Sequence, residues 1–314
     1  MPITDDLLAD LNVRHEYDVA LGPLTWYGVG GRARLMAHPS SVAQLGALAL
    51  RCRERGVRLY VLGSGANLLV SEAGVDGVVV RLDDPAFAQM KIEGPIVTAG
   101  GGVDLFKLVL DTARAGLSGL EVLAGIPATV GGAVRMNAGG AYGDVGACVR
   151  RVQVMSDSGQ VYYRDRDDLI FSYRKSNIVA PFILEVEFEL SKEDPEQIMR
   201  RVKEIFLYKK NTQPMNQRSA GCAFKNPQPV AGDGDSDEES SPSVNLPSAG
   251  SLIDQAGLKG FRIGGAEVST VHANFVVTHP GCTADDVLAV MDHVQRTVRE
   301  RFAIALQREV VVWP

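Results

Sequence analysis

Two glycine-rich stretches restrict what this chain can fold into more than any other feature: GSGANLLV (63–70), which follows the apolar run VRLYVL (57–62), and GIPATVGGAVRMNAGGAYG (125–143). Glycine reaches positive φ and admits close approach to the backbone, so such turns can converge several N–H groups on a phosphate or simply reverse the chain. The residues alone leave both readings open. The dinucleotide fingerprint GxGxxG fails here, because Leu68 stands at the third glycine position and no strand-to-helix transition follows. The chain therefore does not read as a Rossmann dehydrogenase.

Helices and strands mix around these stretches. Val42, Leu45 and Ala49 recur at helical spacing ahead of the strand at 57–62, and GVVVRL (77–82) reads as another strand. PIVTAG (95–100) predicts a strand, and Asp104 opens a helix that Gly116 ends. RVQVMSDSGQVYYR (151–164) predicts a hairpin around Ser-Asp-Ser-Gly, while FILEVEFEL (182–190) alternates as a half-buried strand should. Thr283 caps a helix whose Val287, Val290, Met291, Val294 and Val298 follow the 3.6-residue period. The last run, IALQREVVVWP, predicts a strand from near Ala303 that completes a domain begun elsewhere. The class is α+β.

With 314 residues and 46% hydrophobic content the chain can bury more than one core, so two or three domains are expected. A formal net charge of −6 offers no basic excess for a phosphate polymer, which argues against a nucleic-acid partner. MPITDDLLADLNVRHEYD lacks a basic and apolar leader, and no run reaches the length of a membrane span, so no membrane association and a cytoplasmic location are expected. Cys52, Cys148, Cys222 and Cys282 are far apart and outside any CxxC or Cys/His cluster, which predicts neither a metal site nor a disulfide framework. Between Pro227 and Pro247 the acidic AGDGDSDEESSPS predicts a mobile, solvated loop at 228–246.

Taken in order, LTWYGVGG (24–31), GSGANLLV, GIPATVGGAVRMNAGGAYG, FSYRKSNI (171–178), GCAFKNP (221–227), AGSLIDQAGLKG (249–260), GGAEVSTVHANFVV (264–277) and LQREV (306–310) resemble the UDP-N-acetylenolpyruvoylglucosamine reductase (MurB) family along nearly the whole chain. The resemblance implies a vanillyl-alcohol-oxidase-type FAD-binding fold of two subdomains, 1–83 completed by 304–314 and 84–207, plus an α+β substrate domain at 208–303. It implies FAD and NADPH as cofactors, UDP-N-acetylenolpyruvoylglucosamine as substrate, and a monomer. Gly63, Ser64, Gly65, Ala66, Asn67 and Leu68, with Gly125, Ile126, Thr129 and Gly132, are expected at the FAD pyrophosphate, where small residues let backbone N–H groups approach a dianion.

Arg174, in FSYRKSNI, is expected to face the substrate carboxylate, a role suited to a planar guanidinium that stays charged. Glu309, in LQREV, is expected to polarise the enolpyruvyl group with it. Tyr142, Tyr173, Asn226 and His272 are expected near the UDP-sugar. Cys222 departs from the family, whose block usually has a proton-donating serine there; a protonated thiol is a stronger acid than an alcohol, so the role can survive. Val311 replaces an arginine common in relatives. The short link from FSYRKSNI to FILEVEFEL resembles the second, shorter type, which lacks an inserted clamping tyrosine. Two other readings stand beside this one: another flavin oxidase or dehydrogenase of the same superfamily, and a non-catalytic UDP-sugar-binding flavoprotein.

Overall fold

The computed structural model describes residues 7–228 and 246–314. The acidic loop expected at 228–246 lies outside the described residues except for Gln228 and Leu246.

The first lobe grows from β1 (Arg14–Ala20), β2 (Arg32–His38), α1 (Val42–Glu54), β3 (Leu59–Val61), β4 (Leu68–Val70) and β5 (Val75–Val80). Ser41 starts α1 because its hydroxyl accepts the Gln44 N–H at 3.2 Å, satisfying one of the first-turn donors that have no partner within the helix. Leu45, Leu48, Ala49 and Cys52 then fall on one buried face. That face covers a sheet of order β1-β2-β5-β3, in which β2, β5 and β3 run parallel and β1 is antiparallel.

The second lobe holds β6 (Met90–Glu93), β7 (Ile96–Gly100), α2 (Leu105–Arg114), α3 (Val130–Met136) and α4 (Pro195–Thr212). The expected hairpin forms from Val149–Met155 and Val161–Asp165, and with Phe182–Glu189, β7 and β6 it makes a five-stranded antiparallel sheet. Leu105, Leu108 and Val109 of α2 share a core with Ile198, Val202 and Ile205 of α4 and with Val186 and Phe188 of the sheet. The lobes are joined by apolar packing: Met155, Phe182 and Leu184 belong to the same buried cluster as Leu45, Leu48, Val78 and Val80. A contact of that kind fixes the cleft between them.

The third unit packs α5 (Ala249–Gln255) and α6 (Ala284–Phe302) on a small sheet of Arg262–Ile263, Ala266–Val268 and Val276–Thr278. Thr283 caps α6 through a reciprocal box with Asp286, and the expected Val287, Val290, Met291, Val294 and Val298 are all buried. Tyr27 and Leu69 of the first lobe sit in the same core.

The closing strand is shorter than the sequence suggests. Ala303 takes a left-handed conformation (φ 57°) that ends α6, and residues 307–309 hydrogen-bond to the GCAFKNP segment instead: Lys225 N–H donates to Gln307 O (2.8 Å) and Glu309 N–H to Ala223 O (2.9 Å). Only Val311–Trp313 is strand, running parallel to β4.

Candidate active site

Between the lobes lies a cleft of about 310 Å³ lined by Gly63, Ser64, Gly101, Gly102, Thr129, Gly131 and Gly132 along one stretch and by Arg81, Asp83 and Arg135 elsewhere. The two glycine-rich segments face each other across it. A Cβ on Gly63 would stand 2.7 Å from Thr129 Oγ1, so only glycine permits that approach. Gly65 has φ +66°, and a Cβ there would lie 2.2 Å from Leu24 O; the turn is fixed from outside by Trp26 N–H donating to Gly65 O. Arg81 Nε is buried without a hydrogen bond of good geometry among the described residues and lies 3.4 Å from Asp83 Oδ2, so its charge is paired within the cleft wall. Glycine-lined walls that let backbone N–H groups approach a diphosphate fit FAD.

Not every residue expected at the cofactor lines this cleft. Gly63, Ser64, Thr129 and Gly132 do. Ile126 packs against the second-lobe core, Leu68 is buried in β4, and the Asn67 amide donates to Glu309 O at 3.1 Å and also contacts Met136 Sδ. Asn67 thus couples the glycine turn to the segment carrying Glu309.

A cluster of ionisable side chains is assembled from three distant segments. Phe171–Ser172 and Lys175–Ser176 pair as a tiny hairpin whose turn is Tyr173-Arg174, and Arg174 holds a left-handed φ of 54°, which costs an L-residue about 1 kcal/mol or more. The guanidinium lies 5.1 Å from the Tyr173 ring centroid, and its Nε donates to Glu309 Oε1 at 2.5 Å. Both partners are largely buried, with side chains 17% and 12% exposed. Burial raises the Glu309 carboxyl above its ordinary value, against the opposing pull of Arg174 and Lys225.

Cys222 bridges to Phe275 and sits one residue before the carbonyl that receives the Glu309 N–H. Burial first, and then the Glu309 charge, push its thiol up to about 12. The thiol is therefore held as SH near neutral pH, the form a proton donor requires.

Asn274 holds this block in place: its side chain accepts from Phe224 N–H (3.0 Å) and donates to Phe224 O (2.8 Å), and both groups are buried. Asn226 spends its side-chain oxygen on Ala249 N–H (3.0 Å), while its own N–H donates to the Tyr173 hydroxyl (3.2 Å). His272 accepts from Asn274 N–H through Nδ1 (3.2 Å), and burial lowers its pKa, keeping the ring neutral. Tyr142 stands apart on an exposed turn, edge-on to Tyr208 at 6.0 Å.

Several residues of the site were not among those expected. The Gly101-Gly102 pair directly after a predicted strand was a readable signal. Asn274 lies within the quoted block 264–277 but was not singled out, and Arg81, at the end of a predicted strand, had no signal, since only folding brings it here.

A glycine-walled cleft between two lobes, with a buried Arg–Glu pair and a thiol supplied by a third unit, defines a flavin-dependent oxidoreductase with its own substrate domain. Residues 33–163 match the family model for an FAD binding domain, and residues 213–313 match that for the C-terminal domain of UDP-N-acetylenolpyruvoylglucosamine reductase. The chain is 40% identical to the UDP-N-acetylenolpyruvoylglucosamine reductase of Heliobacterium modesticaldum, over 92% of this chain and 87% of that one. Identity to the Bacillus subtilis enzyme is 36%, covering 90% and 89%. The crystal structure of the reductase (MurB) from Thermus caldophilus superposes with a TM-score of 0.79 at 38% identity, covering 96% of this chain and 100% of that one. The chain belongs to the UDP-N-acetylenolpyruvoylglucosamine reductase family.

Proposed function

We propose that this protein reduces UDP-N-acetylenolpyruvoylglucosamine to UDP-N-acetylmuramate with NADPH, one step of peptidoglycan precursor synthesis. The observation that carries this reading is the buried Arg174–Glu309 pair beside the protonated Cys222 thiol. FAD, which the two glycine-rich loops would hold, would supply the hydride chemistry that links NADPH oxidation to reduction of the enolpyruvyl double bond. In net terms NADPH and one proton are consumed, the carbon–carbon double bond becomes single, and NADP+ leaves.

The chain's own residues manage charge and the proton. Arg174 binds the substrate carboxylate and stabilises the negative charge that reaches it as hydride adds to the terminal carbon. Glu309 holds that guanidinium in orientation through its bond to Nε, and its role is to help polarise the enol ether. Cys222 gives its thiol proton to that neighbouring carbon, and solvent restores it. Gly63, Ser64, Thr129 and Gly132 hold the cofactor diphosphate through backbone and hydroxyl groups, joined by Gly65, Ala66, Asn67, Leu68, Gly125 and Ile126 as the frame of the two loops. Tyr142, Tyr173, Asn226 and His272 border the UDP-sugar.

The units are read as 1–83 with 304–314, 84–207 and 208–303, and the enzyme as a cytoplasmic monomer. Light scattering should then return a mass near 33.7 kDa. The main test is anaerobic: NADPH should bleach the flavin bands and the enolpyruvyl substrate should restore them. Bleaching without restoration would instead favour a flavin dehydrogenase acting on another substrate, and no bleaching would favour a non-catalytic flavoprotein.

A further inference from the structure

Asn274 is 4% exposed and is tied closely to the segment that carries Cys222. Its backbone carbonyl accepts Ala223 N–H (2.7 Å), its Oδ1 accepts Phe224 N–H (3.0 Å), and its Nδ2 donates to Phe224 O (2.8 Å). The reciprocal pair with Phe224 fixes which end of the amide is nitrogen, since the flipped amide would set N–H against N–H and oxygen against oxygen. Nδ2 carries two N–H groups, and one is spent on Phe224 O.

The other group this side chain reaches is the Cys222 thiol. Burial and then the Glu309 charge push that thiol up, while the Arg174 charge and a hydrogen bond with the Asn274 side chain pull it back. A contact that favours the thiolate is one in which sulfur accepts, so the amide gives its second N–H to Sγ. The thiol proton is then left for another acceptor. When that proton passes to the substrate carbon, the S–H bond breaks, a C–H bond forms, and the electron pair stays on sulfur. A buried thiolate near the Glu309 carboxylate is costly unless a donor meets it.

We infer that Asn274 is the positioning residue of the proton donor: its N–H holds Cys222 Sγ so that the S–H is free for the substrate carbon, and the same N–H stabilises the thiolate left behind. This rests on the reductase reading with Cys222 as its acid. The competing role for Asn274 is a clamp on Phe224 alone.

The flavin-loaded enzyme and its Asn274→Leu variant, which keeps the size of the side chain and removes its polar groups, separate the two. Loss of a hydrogen bond to a charged group should slow alkylation of Cys222 by iodoacetamide at pH 9 about tenfold, because less thiolate is present. Loss of a clamp alone would loosen the segment and leave alkylation unchanged or faster. A double-mutant cycle on flavin reoxidation by substrate gives the second readout. Asn274→Leu should slow reoxidation about tenfold when Cys222 is present and by no more than about twofold in a Cys222→Ala background, whereas a clamp would cost the same in both. Should Asn274→Leu not fold, the wild-type minus Cys222→Ala infrared difference spectrum decides the matter: an S–H stretch at the frequency of a non-donating thiol supports the inference, and the lowered band of a donating thiol overturns it. Unslowed alkylation or equal costs in the two backgrounds would also overturn it. If Cys222→Ala reoxidises as fast as wild type, the inference falls with the acid it serves. The reductase reading fails differently, through wild-type flavin that substrate does not reoxidise, and the alkylation and infrared measurements need no substrate.

Discussion

The cofactor cleft and the ionisable cluster are built on opposite plans. Where the two glycine-rich loops meet, the cleft presents backbone, with Arg81, Asp83, Asp104 and Arg135 completing its lining. Its geometry follows from local turns such as Gly65, whose conformation and tight contact with Leu24 O leave no room for a Cβ. The cluster presents side chains, and each comes from a different part of the chain: Arg174 on a strained turn, Cys222 on an extended segment, Glu309 just ahead of the closing strand. Binding a constant diphosphate needs only N–H groups held in place, whereas handling charge that appears during a reaction needs ionisable groups whose surroundings set their protonation.

The contrast is sharpest where one plan can be removed without the other. Cys222→Ala should leave flavin reduction by NADPH near normal while slowing reoxidation by substrate by about 10²-fold or more, the usual worth of a positioned general acid. Stopped-flow measurement of both half-reactions decides this, and equal reoxidation rates would make Cys222 a packing residue. Arg174→Lys and Glu309→Gln should each lower turnover by about 10²-fold with FAD still bound, because the fork geometry or the paired charge is lost at the developing anion. Near-normal turnover in both would break the assignment.

Gly65→Ala tests the other plan. The added Cβ must displace Leu24 O in a turn with φ +66°, so we expect FAD affinity to fall about tenfold and thermal stability to drop by several degrees, from about 1–3 kcal/mol of strain. Reconstitution titrations and thermal melts measure these. A Gly65→Ala protein that binds FAD normally would show that the cradle tolerates side chains. The smallest effect belongs to Cys222→Ser, expected within a few-fold of wild type because a hydroxyl keeps a transferable proton. Alkylation sharpens the same point: with the thiol raised to about 12, iodoacetamide at pH 8 should modify Cys222 more slowly than an ordinary exposed thiol.

Local patterning made much of the fold legible. Thr283 with Val287, Val290, Met291, Val294 and Val298 gave α6, and the run around Ser-Asp-Ser-Gly gave the hairpin, because caps and periods are short-range signals. The strand from Ala303 was read too long, since residues 307–309 make their hydrogen bonds to 223–225, a partner no local pattern announces. In the site, Arg174, Cys222 and Glu309 stood out only as parts of family blocks. Asn274 lay inside a quoted block yet was not singled out, because a loop asparagine acquires meaning only from the Phe224 backbone that folds against it.

The pairing of Val311–Trp313 with β4 has a consequence for how activity is acquired during synthesis. Asn67 and Glu309 are bonded across 242 residues, so the glycine turn and the carboxylate cannot be brought together until the segment around 309–313 has emerged from the ribosome. The buried clusters that hold the first two lobes draw on residues up to 205 and can condense earlier. A nascent chain can thus shape much of the flavin cleft before it has any means of carrying out the reaction, and competence arrives last, in a single stitch.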